Sequence, residues 1–588
     1  MARKPTRSGQ ESETVSDRSP QGGRLVVRGS SRTYWAIVPF LIVAAVLFLR
    51  LFYLDVIVAD EYSKQAQEAR TSKIVVEAPR GTIYDRNHNV LAISVDATTI
   101  YANPSEVEDV QATAAQLATV LGGQADDYAP KMGNRNLKFS YIKQKADVPV
   151  ADKVRELGLK GIYFLADSKR SYPYGQVGGQ LVGACNTEVD EDTKEEYLTG
   201  ISGLEYYYND ALSGKPGYYE AEYAQNGSPI PGAVHQSVAA EEGQDIVTSI
   251  DIEMQRTLEL KLALGLHQVG TESGTSVIMD AGTGEIYAAA SYPLFNPADR
   301  STVAEGSMQL KAVSHLIEPG SVFKTATAMA LLETGTMKPD DTVYAPATIS
   351  ADGYVISDAH ERGDTVYTLR QVMQYSSNVG ISLSAERMGF DKLYDHIKKY
   401  NLNSPSGVDY PGEQTGYLVD FANWSRVVGY NVSFGQGVSL TPLQITRFYG
   451  ALVNDGVECT PHFLIGMSNA EDMPDWDSRR QRVIDDTGKI ADMTSMLKTV
   501  VTDGTGKRAA IEGYNVAGKT STAEIYDEVN GGYLKGMYNL CFAGYLADSS
   551  SQLVCFVGAD NVPSDSAVTF IFHDIMTEAI NRYNIVSQ

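Results

Sequence analysis

Apolar residues follow three rhythms along this chain. From Tyr34 to Leu49 there are sixteen residues without a charge, and the run continues past Arg50 through Leu51, Phe52, Tyr53 and Leu54. Those 21 residues match what a helix needs to cross ~30 Å of hydrocarbon. A second rhythm is short and strand-like. Residues 246–250, 276–280, 285–290, 539–545 and 552–557 are apolar or alternating runs bounded by turns, with Gly282-Thr-Gly284 and residues 547–551 as hairpin turns. The third has helical spacing, over residues 252–266, 322–332 and 567–582. Helices between an early and a late hairpin predict a mixed sheet with helices packed on it, an α+β arrangement.

The amino-terminal half is less regular. Pro79-Arg80-Gly81 leads into a short strand, and Arg86-Asn-His-Asn89 reads as a hairpin turn before a second. Residues 106–160 are polar with helical spacing, residues 55–75 form an amphipathic juxtamembrane stretch, and residues 225–245 read as loop and linker. The texture changes after Asp245. The expected organisation is a tail at 1–33, a membrane helix at 34–54, a first external domain at 55–245 and a second at 246–588.

Composition narrows the function. The 588 residues are 43% apolar and 21% charged, the profile of a folded protein several domains' worth in length. The net charge is −24, yet residues 1–33 carry seven basic and three acidic side chains and stand at +4. That tail is poor in large apolar residues and is expected to be disordered. The acidic remainder has no basic stripe, which argues against nucleic acid as a partner. The membrane run is too long for a signal-peptide core, and no small-x-small cleavage site follows it. It is therefore expected to stay as a single-pass anchor, with Tyr34, Trp35 and Tyr53 at the interfaces and Arg50 reaching the headgroups. Basic residues before the span, and Asp55, Asp60 and Glu61 after it, place the tail in the cytoplasm and the rest outside. ATP and nicotinamide cofactors are scarce there, which favours chemistry driven by the substrate's own bond energy. No cofactor is called for. The eight histidines and four cysteines show no ligand spacing, so no metal is expected either. Cys541 and Cys555 lie seven residues either side of position 548 and are expected to face each other, as two buried thiols in preference to a disulfide.

Three segments carry candidate chemistry. In Glu318-Pro-Gly-Ser-Val-Phe-Lys324 a chain break precedes an apolar helix. Ser321 would stand at the helix start, where free N–H groups and the dipole favour negative charge. Lys324 follows one turn on, and in apolar surroundings it would lose its proton and act as base. The Ser-x-x-Lys spacing also occurs at Ser140 and Ser495, but only Ser321 has the break and the helix behind it. Tyr375-Ser-Ser-Asn-Val379 supplies Ser376 and Asn378, otherwise a polar turn between helices. Val516-Ala-Gly-Lys-Thr-Ser-Thr-Ala523 places Lys519 on a strand, otherwise an exposed edge-strand lysine.

Taken together, Ser321-x-x-Lys324, Ser376-x-Asn378 and Lys519-Thr520, separated by 55 and 143 residues, resemble the penicillin-recognising serine acyl-enzymes. Arg80-Gly-Thr-Ile-Tyr-Asp-Arg86, Arg170-Ser-Tyr-Pro173 and Gly203-Leu-Glu205 are similar to signature boxes of the class B, monofunctional penicillin-binding proteins. Asp280-Ala-Gly-Thr-Gly-Glu285 and Phe295-Asn-Pro297 look like the start of their catalytic domain. The resemblance implies a single membrane helix, an elongated α+β pedestal of the dimerisation type, and a transpeptidase domain with a serine β-lactamase-like mixed antiparallel sheet flanked by helices. It implies peptidoglycan D,D-transpeptidation through a serine acyl-enzyme that β-lactams also trap. Ser321 would be the nucleophile and Lys324 its base. Ser376 would relay a proton, Asn378 would hold the substrate amide and Lys324, and Lys519 would supply positive potential. Thr520, Ser521 and Thr522 would line the substrate-binding strand, with the Thr520 and Thr522 hydroxyls on the substrate carboxylate. The N–H groups of Ser321 and Thr522 would form the oxyanion hole.

Two positions depart from the pattern. Ser521 and His88 stand where the family usually has glycine. Glycine at 521 leaves room for a ligand beside the backbone, so the Ser521 side chain either crowds that approach or turns away. Arg80, Asp85, Arg86 and Glu205 are read as a structural ion-pair network. Implied partners are stem peptides with a D-Ala-D-Ala donor and an amine acceptor, β-lactam antibiotics, and a polytopic glycan polymerase with other division or elongation membrane proteins. Glu318 before Pro-Gly, and Thr441-Pro-Leu-Gln444 after Phe434-Gly-Gln-Gly437, lean towards a septal role, with elongation as the alternative. A β-lactamase or a β-lactam sensor fits less well. No Glu-x-x-Leu-Asn loop lies between Asn378 and Lys519, and one membrane helix with a 33-residue tail offers no signalling module.

Overall fold

The computed structural model describes residues 31–58, 71–76, 78–189, 196–223, 229–301, 303–526, 533–564 and 566–588. The expected disordered tail and most of the juxtamembrane stretch lie outside them. The chain forms two compact units, one of residues 1–74 with 219–237 and one of residues 75–218 with 238–588.

The first unit holds helix α1, Ser31–Phe52, which ends in a π-turn at Tyr53–Ile57. Residues 37–57 form a span of 21 residues with mean hydropathy 2.5. Phe40, Phe48 and Leu49 are exposed along it, as expected for a helix whose surroundings are lipid. The Arg50 guanidinium stands 5.9 Å from the Tyr53 ring centre. Strands Thr71–Val76, Gly217–Tyr223 and Pro229–Val238 form a three-stranded sheet. The last corrects the loop expected over 225–245. Its prolines and glycine read as loop, but the strand lies on the sheet's edge, where proline removes no needed donor.

In the larger unit, β1 (Ile83–Tyr84) and β2 (Val90–Ala102) form the expected hairpin. His88 sits in its turn with φ 61°, the left-handed conformation that favours glycine. Then come α2 (Val110–Leu121), α3 (Ala125–Met132), β3 (Ser140–Asp147), α4 (Val148–Glu156), β4 (Ile162–Ser171) and α5 (Gly203–Tyr207). Strand β3 corrects the uninterrupted helical reading of 106–160. Its buried residues, Ile142 and Ala146, are four apart, a spacing that fits one face of a strand as well as one face of a helix.

The second half runs β5 (Ile246–Thr248), α6 (Ile252–Val269), β6 (Gly274–Asp280), β7 (Ile286–Tyr292), a 3-10 turn at Gly320–Phe323, α7 (Lys324–Glu333), β8 (Tyr354–Ser357), α8 (Leu369–Gln374), α9 (Asn378–Met388), α10 (Pro442–Val453), β9 (Leu464–Met467), α11 (Thr487–Thr502), β10 (Asn515–Tyr526), β11 (Tyr533–Ala547), β12 (Leu553–Val562) and α12 (Thr569–Tyr583). Five antiparallel strands form the central sheet in the order β7-β6-β12-β11-β10.

Alternation along β11 divides the core in two. Leu540 and Phe542 pack with residues of α6 and α12, while Cys541, Ala543 and Tyr545 pack with residues of α7, α8, α9 and α11. Phe542 meets Phe572 of α12 edge-on, with centroids 4.8 Å apart, a geometry worth ~0.5–1.5 kcal/mol beyond area burial. The expectation that Cys541 and Cys555 face each other is corrected. Cys541 pairs with Gly558 and Cys555 with Gly544, because the hairpin turn is centred later than position 548. The two thiols lie on opposite faces of the sheet, and all four cysteines are free.

Residues before and after Asp245 share a second sheet, ordered β9-β5-β1-β2-β3, with β4 also on β2. Strand β5 runs parallel to β1 and antiparallel to β9. The Asp85 carboxylate accepts the N–H groups of Asn87 and Asn89 within the hairpin, and that of Ile252 at the start of α6. Glu205 is fully buried and takes Arg80 and Arg170, both at 2.6 Å. Arg80 also donates to Asn209. Burial draws the Glu205 carboxyl upward, but Arg170 and Arg80 outweigh it and hold it below the usual range. The expected structural network is therefore present, with Arg170 as a member in place of Asp85 and Arg86. Arg86 instead pairs with Glu285 at 3.3 Å.

Candidate active site

Ser321 lies in the 3-10 turn, one turn ahead of the first residue of α7. Pro319 ends the preceding segment, and Gly320 takes φ 53°, a conformation glycine adopts without strain. The Gly320 N–H donates to Gly435 O at 2.9 Å, and the Ser321 N–H to Ser521 Oγ at 2.9 Å. Helix α7 is buried on all sides from Lys324 to Leu332. Its polar groups are satisfied inside, with Thr325 bonded to Tyr449 and Thr327 to Ser433 O. Hence the Lys324 amine enters the site from a rigid, dry element.

Lys324 Nζ donates to Ser376 O at 2.6 Å, Asn378 Oδ1 at 2.7 Å and Ser376 Oγ at 3.2 Å. Ser321 Oγ is not among its partners in the described residues. Burial, and then the neighbouring Lys519 charge, push the Lys324 amine well below the ordinary lysine range, with Asp358 opposing. Lys519 Nζ reaches the same Ser376 Oγ at 2.9 Å and Thr520 O at 3.0 Å. Lys519 is fully buried in the middle of edge strand β10, which corrects the exposed-lysine alternative, and burial pushes it down to about 7. One hydroxyl thus sits between two amines whose desolvation favours their neutral forms.

Ser376 occupies the connection between α8 and α9 with φ 59°, an uncommon conformation for serine. The bracing residues escaped the sequence reading. Ser377 caps α9 through Gly380 N and bonds Asp358, which also accepts Val379 N and pairs with Arg362 at 2.6 Å. Asn378 Nδ2 donates to Ser357 O on β8, so its amide is oriented with Oδ1 towards Lys324. No local motif marks Ser357 or Asp358; they reach the site through tertiary packing alone.

On β10, alternation turns Lys519 and Ser521 inward. Ser521 is buried and turns away from the open flank. It lies opposite Cys541 in register. The Thr520 hydroxyl is held by Thr505 at 2.6 Å, and Thr522 is exposed. Thr505, between Gly504 and Gly506, was also missed. The other two Ser-x-x-Lys pairs have different fates. Ser140 and Lys143 lie on strand β3, not at the start of a buried helix. Ser495 bonds Arg370, and Lys498 pairs with Asp548.

Comparison with known proteins identifies the family. Residues 274–577, more than half of the chain, match the family model of the penicillin-binding protein transpeptidase domain, and residues 75–248 match that of the penicillin-binding protein dimerisation domain. The PbpB penicillin-binding protein of Mycolicibacterium smegmatis is 29% identical, over 94% of this chain and 89% of its own. PbpC of Pseudomonas aeruginosa, named a probable peptidoglycan D,D-transpeptidase, is 30% identical over 87% of each. Among solved structures, penicillin-binding protein 3 of Mycobacterium tuberculosis in complex with aztreonam superposes with a TM-score of 0.65 at 26% identity, covering 87% of this chain and 97% of that one. The chain belongs to the penicillin-binding protein transpeptidase family.

Proposed function

We propose that this protein is a membrane-anchored peptidoglycan D,D-transpeptidase that cross-links stem peptides through an acyl-enzyme on Ser321. The observation that carries the reading is the convergence of Lys324 and Lys519 on Ser376 Oγ, at 3.2 and 2.9 Å, with Lys324 one helical turn after Ser321. Ser321 Oγ attacks the carbonyl of the penultimate D-alanine, and Lys324 in its neutral form takes the hydroxyl proton. As the peptide bond breaks, Ser376 passes a proton to the departing D-alanine amine. Asn378 keeps Lys324 and the substrate amide in place. Lys519 supplies positive potential, and Thr520, Ser521 and Thr522 line the strand on which the donor lies. The amine of a second stem peptide then attacks the ester and closes the cross-link. The energy comes from the D-Ala-D-Ala bond, so no cofactor is required.

β-Lactams enter the same site and leave a stable ester. The boundaries carried forward are a cytoplasmic tail at 1–33, a membrane helix at 34–54, a pedestal at 55–245 and an extracytoplasmic transpeptidase domain at 246–588. The anchor and pedestal are the surfaces offered to a polytopic glycan polymerase. The role leans septal, on Glu318 and Thr441-Pro-Leu-Gln444. The test is labelling with a fluorescent penicillin and intact-mass detection of the adduct. Wild-type protein gains one adduct that outlasts the assay, and Ser321→Ala gains none. Release within seconds would mark a hydrolase instead. A tagged copy in growing cells gives midcell rings for the septal role, and sidewall signal overturns it.

A further inference from the structure

The Ser321 N–H is already occupied. It donates to Ser521 Oγ at 2.9 Å. That hydroxyl fills the space over the preceding residue, where a β-carbon placed on Gly320 would lie 2.4 Å from it. Ser521 is buried on the inward face of β10 and lies directly opposite Cys541. The Cys541 sulfur in turn lies 3.9 Å from Pro319 O. A short chain of contacts thus runs from the edge strand to the peptide that bears the nucleophile.

We propose that Ser521 gates acylation: its hydroxyl holds the Ser321 N–H in the resting site and must swing aside before that N–H can receive the oxygen of the attacked carbonyl. The inference rests on Ser321 being the nucleophile. When Ser321 Oγ adds to a carbonyl carbon, the C=O π bond opens and negative charge gathers on the oxygen. The N–H of the attacking residue is the nearest backbone donor to that oxygen, and one such donor is worth about 10²–10³ in rate. An N–H has a single hydrogen, so Ser521 Oγ and the developing oxyanion compete for it. Ser521 can leave by rotating about χ1 to another staggered position. What opposes acylation is the loss of one neutral hydrogen bond, about a two- to tenfold effect on rate.

The test is the second-order rate constant for acylation by a fluorescent penicillin, measured on the full-length protein. Ser521→Ala keeps the β-carbon and removes the hydroxyl. It should acylate about two- to tenfold faster, through the limiting rate rather than the half-saturating concentration, and Ser521→Gly should do the same. Ser521→Ala acylating at or below the wild-type rate would overturn the gate. So would a rise confined to Ser521→Gly, since bulk and not the hydroxyl would then be the obstacle. The double variant Ser321→Ala/Ser521→Ala separates the two layers. An adduct that persists there removes the nucleophile assignment and the gate with it. Loss of the adduct there, with no acceleration in Ser521→Ala, removes the gate alone.

Discussion

Lys519 Nζ lies 2.9 Å from Ser376 Oγ, although 143 residues separate them in the chain. The contact joins the edge strand of the sheet to the connection between two helices of the opposite layer. Removing the hydroxyl leaves both amines without their shared partner and, on the proposed mechanism, interrupts proton transfer. Ser376→Ala is expected to lower acylation by about 10²–10⁴, the span of a positioned acid–base group. Stopped-flow penicillin binding measures it, and a loss below tenfold would count against the relay.

The two lysines set opposite limbs of a pH profile. On the proposed mechanism Lys324 acts as base only after losing its proton, so acylation is expected to rise with pH at the acid end. Lys519 contributes positive potential only while protonated, and burial has pushed it down to about 7, so the free-enzyme rate constant falls above that value. Stability moves the other way. Unfolded Lys519 keeps its proton to about pH 10.4, while the folded residue gives it up near 7. Between the two the unfolded chain binds more protons, and raising the pH favours the fold. Acylation rates from pH 5 to 10, and thermal midpoints for wild type against Lys519→Gln, test both signs. A profile flat above pH 7 would exclude Lys519 as the titrating cation.

Gly435 supports the peptide that leads into Ser321. It takes φ 89°, and a β-carbon there would lie 2.2 Å from Gly320 O. Gly435→Ala must push the Gly320–Ser321 peptide away or distort the loop. The expected result is a destabilisation of about 1–3 kcal/mol with a loss of acylation larger than that at any distant glycine. Denaturant melts and labelling on the same samples separate the two effects.

Glu205 faces two buried guanidiniums. Glu205→Gln keeps the shape and removes the charge, at an expected cost of about 3–5 kcal/mol. Because the folded carboxyl is held low, its contribution is complete above the unfolded value near 4.3 and is lost as the pH falls through the folded one. Thermal melts at pH 7 and 4 should therefore differ more for wild type than for Glu205→Gln.

Much of the site was legible because its chemistry sits at chain breaks. Pro319-Gly320 before a buried helix marks Ser321 and Lys324, and Ser376 stands between two helices with Asn378 at the start of the second. What stayed hidden depends on tertiary packing or on a register of one residue. Ser357 at the end of β8 holds Asn378, and Asp358 just beyond it braces Ser377 and Val379, with no motif to mark either. Facing of Cys541 and Cys555 failed because symmetry about 548 assumes a centred turn, whereas the turn lies later. Ile142 and Ala146 satisfied two periodicities at once, and only pairing with β2 decides between them. Ser521 was visible as an oddity, but its inward hydroxyl follows from strand alternation seen against Lys519.

Strand β5 has only three residues, yet it is stitched on one side to Ile83 and Tyr84 and on the other to residues 464–467. Peeling the early hairpin away exposes an edge of the segment that launches α6. Melting at either end therefore propagates to the other, and calorimetry of residues 75–588 should give one transition where a chain of loosely tethered lobes would give two.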